Sequence, residues 1–134
     1  MRLRRAPLSP VGVGGKHQAD GRSFVAIVLV LYSLTLTLGA YMGLRYVRGR
    51  GVPAVVAYGH GLCGIAATIA LAVAIWGGPT VMLLNDALFF YSLVIAAGLF
   101  MTLMRTKGIR PPMLYWAFHG VVAVAAFMLL LAGL

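Results

Sequence analysis

Thirty residues from Tyr32, YSLTLTLGAYMGLRYVRGRGVPAVVAYGHG, align without a gap with thirty from Tyr91, YSLVIAAGLFMTLMRTKGIRPPMLYWAFHG. The offset is 59 residues, Tyr91 against Tyr32. Tyr32-Ser33 meets Tyr91-Ser92, Gly39 meets Gly98, Met42 meets Met101, and Gly49 meets Gly108. Pro53 falls on Pro112 and His60-Gly61 on His119-Gly120, and the match runs on through Ala66/Ala125, Ala67/Ala126 and Leu71/Leu130. Apolar sequence aligns Leu and Ala by chance, but it does not readily align Tyr-Ser, Gly, Pro and His-Gly in one register. The chain is therefore read as a duplication, with copies at about residues 24–76 and 83–134.

Each copy holds two long apolar runs. A helix needs about 20 apolar residues to cross a hydrocarbon core, and the runs give spans at about Ser23–Leu44, Pro53–Trp76, Val81–Met104 and Pro112 to the C-terminus. Runs this long exclude the short alternating strands of a membrane barrel. The expected fold is an all-α membrane protein, a four-helix up-down bundle built from a duplicated two-helix hairpin. With two spans per copy, both copies enter from the same side, and their pseudo-twofold axis lies along the membrane normal.

Composition agrees. The chain is 62% hydrophobic and 10% charged, against about 25% charge in a soluble domain. Its net charge of +9 would suggest nucleic acid in a soluble protein. Here the cations sit in a tail and in short loops beside apolar spans, so they are read as topology signals and phospholipid contacts, with no nucleic-acid partner. Residues 1–22 are expected to be a basic, largely irregular tail ahead of a transmembrane domain at 23–134. The loops at 45–50 and 105–110 are both basic, which places them in the cytoplasm by the positive-inside rule, although the tail on the opposite side carries five cations of its own. The setting implied is a bacterial inner membrane. Asp86, near the start of the third span, suits a helix N-terminus. Cys63 is the single cysteine, so an internal disulfide is impossible. Its counterpart is Val122, which removes it from any symmetric ligand set.

His60 and His119 carry the chemistry. Each lies seven residues after its matching proline, roughly 10 Å into the helix at 1.5 Å per residue. Both are at one depth, on the basic-loop side, where the pseudo-twofold can turn them face to face. On the His60 face the i+4 and i+7 positions are Gly64 and Ala67; on the His119 face they are Ala123 and Ala126. This small-residue strip leaves room for a flat macrocycle. Two opposed imidazoles suit a b-type haem, one ligand on each face of the iron, with propionates paired to Arg45, Arg48, Arg105 or Lys107. Three alternatives stand beside it. The strips equally permit close helix packing, with each histidine as a structural pin across helices. A (bacterio)chlorophyll needs only one axial histidine. Zinc wants about four ligands, and two histidines do not supply them. Tyr58, Tyr115 and Trp116 fall where an aromatic belt is expected; Tyr115 and Trp116 are also candidates for the wall of a cofactor or quinone pocket. No nucleophile–base constellation and no deep acidic residue is present, which argues against catalysis by the chain alone and against proton-coupled multidrug transport.

Over residues 23–134 the chain resembles, in architecture, the small four-helix b-type cytochrome membrane subunits of bacteria. The resemblance implies haem ligation by His60 and His119 and a role as an electron-transfer or anchoring subunit, with quinones or other membrane and redox subunits as partners. It departs from relatives with two histidine pairs: one pair holds one haem, serving one side of the bilayer. A cofactor-free accessory subunit of a larger membrane complex is the alternative function.

Overall fold

The computed structural model describes residues 14–77 and 81–134. Four helices follow in order: α1 (Gly14–Val47), α2 (Ala54–Gly77), α3 (Met82–Thr106) and α4 (Met113–Gly133). All four contain a segment long and apolar enough to cross a membrane, beginning at Val25 in α1. The spans fall within a few residues of the expected ones, with one correction. Helix α1 begins at Gly14, so the tail from there to Arg22 is helical rather than irregular. No proline interrupts it after Pro10, and extending an existing helix by a turn or two needs no new nucleus. Residues 1–13 of the tail, and Gly78, Pro79 and Thr80 of the GGPT break, lie outside the described residues.

The turns repeat as the sequence does. Gly49 and Gly108 are the only positive-φ residues among those described, at 67° and 73°. Each closes a Schellman cap. Arg50 N–H donates to the Arg45 carbonyl and Gly49 N–H to that of Tyr46; Ile109 donates to Met104 and Gly108 to Arg105. Only glycine enters this left-handed conformation without strain, which accounts for glycine at both places. Pro53 and Pro112 then stand just before α2 and α4, and the Pro53 carbonyl accepts from Ala57 N–H. Asp86 is the fifth residue of α3, and that helix has no acid in its first turn, so it does not sit at the N-terminus as expected.

Helix α1 packs on α2 and α3 on α4, while α2 against α3 and α1 against α4 close the ring. The α1/α3 and α2/α4 pairs are the diagonals. Among the described residues, the ten buried hydrophobic side chains other than proline form five pairs at the 59-residue offset: Val28/Ala87, Tyr32/Tyr91, Met42/Met101, Ala67/Ala126 and Leu71/Leu130. The duplication seen in the sequence is thus a duplication of the core. At its centre Tyr32 and Tyr91 stack across one diagonal, with ring centroids 3.7 Å apart. Outward positions are large and apolar, such as Val55, Leu62 and Val121. A bilayer solvates that surface, while the helices satisfy their own backbone polar groups.

Candidate functional site

Toward the basic loops from the stacked tyrosines, the bundle opens into a cavity of about 470 Å³, within the size range of small-molecule and cofactor pockets, about 300–1,000 Å³. His60 from α2 and His119 from α4 line it. They meet across the second diagonal, with ring centroids 6.1 Å apart and ring planes 61° apart. Helices α2 and α4 are not adjacent, so the two side chains span the space between them.

The local sequence prepares both rings. His60 Nδ1 lies 2.9 Å from the Thr35 carbonyl. A carbonyl only accepts, so Nδ1 carries the proton and Nε2 keeps its lone pair. That is the arrangement of a metal-ligating histidine whose outer nitrogen is oriented by a second partner. Gly39 makes the room: a Cβ there would come within 3.0 Å of His60 Cε1. The matched Gly98 does the same for His119, at 3.3 Å. His119 Nδ1 turns toward the Val94 carbonyl, the position matched to Thr35, but it is buried without a satisfactory hydrogen bond. Gly39 and Gly98 were visible in the repeat; their job of holding space for imidazole was not, because it depends on which helices face each other.

The remaining expected site residues divide. Gly64, Ala123 and Arg105 line the cavity; Ala67, Ala126, Arg45, Arg48 and Lys107 do not. Ala67 and Ala126 are both fully buried in the cluster that contains Tyr32 and Tyr91. Their small size makes room for the stacked phenol rings. Arg45 is engaged elsewhere, donating from Nε to the Gly51 carbonyl at 2.8 Å and from Nη1 to the Tyr41 hydroxyl at 3.0 Å. Arg48 and Lys107 are exposed on the loops. Trp116 turns inward, lining the cavity and stacking on Tyr46 at 4.8 Å, whereas Tyr115 and Tyr58 are exposed, as an aromatic belt requires.

Three buried polar atoms lack a partner among the described residues: Tyr91 Oη, Trp116 Nε1 and His119 Nδ1. All three residues line this cavity. Buried polar atoms are normally satisfied, so the wall of this cavity is where the described bundle leaves its polar groups least paired. No cluster of three or more His, Cys, Asp or Glu side chains able to hold a metal occurs among the described residues, and Cys63 is a free, half-buried thiol. A bare metal ion therefore has only two imidazoles to bind to, too few for the four that a closed zinc site uses.

No family model matches the chain, and neither does any curated protein or solved structure.

Proposed function

We propose that this membrane protein binds one haem b between His60 and His119 and acts as an electron-transfer or anchoring subunit of a larger membrane complex. The opposed imidazoles across an apolar cavity carry the reading. Two imidazoles this close would both be within reach of one metal ion, which would bind each at about 2 Å. The rings stand 6.1 Å apart. The Thr35 carbonyl fixes the ligating tautomer of His60. Gly39 and Gly98 let both rings lie close to α1 and α3, and Gly64 and Ala123 leave the lining thin. Arg105, at the basic-loop end of the cavity, is positioned to pair with a carboxylate, replacing Arg45, Arg48 and Lys107 in that role. The haem iron supplies one-electron chemistry when bound; the chain supplies ligands, burial and nearby charge. With one histidine pair near the basic-loop end, exchange with a quinone or a redox partner belongs to that side of the bilayer. We assign that side to the cytoplasm of a bacterial cell from the charge of the two loops.

A visible spectrum of the purified full chain, expressed with ample haem supply, tests the reading. A Soret band with sharp reduced α and β bands, lost in His60→Ala and in His119→Ala, is expected. A folded but colourless protein sinks it and leaves the cofactor-free accessory subunit. Near-infrared absorption instead points to bacteriochlorophyll.

A further inference from the structure

A second cavity, of about 370 Å³, lies between the two interhelical loops. The two capping glycines Gly49 and Gly108 both line it, and so do Arg50, Arg105 and Arg110. Matched positions of the two copies therefore frame it, which places it on the pseudo-twofold axis at the membrane interface. Arg110 is held in place: its guanidinium lies 4.9 Å from the centre of the Tyr46 ring, and Tyr46 is in turn anchored by its hydroxyl, which donates to the Pro111 carbonyl at 2.5 Å. Tyr46 stacks on Trp116, whose buried Nε1 donor is unpartnered. The only acids of the whole chain are Asp20 and Asp86, and Asp86 lies toward the opposite end of the bundle, in the second turn of α3. Three exposed arginines thus line a cleft that no carboxylate of the loops can neutralise.

From this cleft we infer that the protein holds the phosphate of one anionic phospholipid between Arg50, Arg105 and Arg110. The forked guanidinium donors match the oxygens of a phosphodiester, and basic pockets between membrane helices select anionic headgroups. A zwitterionic lipid would bring its ammonium among three like charges. The acyl chains then run down the outer, apolar faces of the bundle. The inference shares Arg105 with the proposed haem site but uses neither histidine, and the variants that test it leave Arg105 in place.

Native mass spectrometry of the full chain in detergent, titrated with phosphatidylglycerol, phosphatidylcholine or inorganic phosphate, tests it. Phosphatidylglycerol is expected to bind about tenfold or more tighter than phosphatidylcholine. The Arg50→Gln/Arg110→Gln variant loses that preference. Arg48→Gln/Lys107→Gln, which removes the same charge outside the cleft, keeps it. Equal loss in both double variants, equal binding of the two lipids, or displacement of phosphatidylglycerol by inorganic phosphate at similar concentration overturns the inference. Circular dichroism of each variant establishes that it is folded. The His60→Ala protein retains the lipid preference, so a failed haem reading leaves this result intact.

Discussion

The two halves of the molecule share one apolar core and differ in their polar chemistry. In the first half the polar groups find partners within the protein. His60 donates to the Thr35 carbonyl. Thr68 spends its proton on the Gly64 carbonyl, so Tyr32 is the donor in its 3.0 Å hydrogen bond with Thr68. In the second half Thr35 is replaced by Val94, Thr68 by Phe127 and Ala57 by Trp116. There Tyr91, His119 and Trp116 each keep an unpaired buried atom. Apolar positions fix the backbone arrangement and hold both copies to it, while polar positions are free to diverge. The first copy anchors its histidine, and the second leaves buried polar atoms without partners.

The largest effects should test the shared part. Leu71→Ala and Leu130→Ala each delete a fully buried matched side chain, and each should cost about 2–4 kcal/mol. Denaturant titration in detergent should place the two within about 1 kcal/mol of each other. A severalfold difference would break the equivalence of the copies. Gly39→Ala and Gly98→Ala probe the imidazole beds. Overpacking of this kind costs about 1–3 kcal/mol. Gly39→Ala should be the more damaging, because its Cβ meets His60 at 3.0 Å rather than 3.3 Å and His60 is tied to Thr35. The same titration, read beside the Soret intensity, ranks them. The smallest effects should separate the copies. Tyr32→Phe removes a satisfied hydrogen bond and should cost about 1 kcal/mol, whereas Tyr91→Phe removes an unsatisfied hydroxyl and should be neutral or slightly stabilising. Equal destabilisation by the two would show that Tyr91 has a partner after all.

Much of this was legible in the sequence, because it depends on pattern alone. Long apolar runs give the spans, and the ungapped register gives the duplicated hairpin and the common depth of His60 and His119. What the pattern could not supply was rotation and adjacency. Ala67 shares a helix face with His60, yet that face meets Tyr32 and Tyr91 about two turns further on, and the tyrosines take the space a macrocycle edge would have used. The pairing of histidines across a diagonal, rather than between neighbours, depends on how four helices arrange in a ring, and no spacing along one helix encodes that. The loop arginines look alike in sequence. Only the Schellman turns decide that Arg50 and Arg110 line a cleft while Arg45 folds back on Gly51.

The central claim is that one iron is held by one histidine from each copy. Electron paramagnetic resonance of the ferric, haem-loaded full chain, with haem quantified per chain, tests it most directly. The account predicts one haem per chain with a low-spin signal of two imidazole ligands, abolished by His60→Ala and equally by His119→Ala. A low-spin signal that survives either substitution contradicts it.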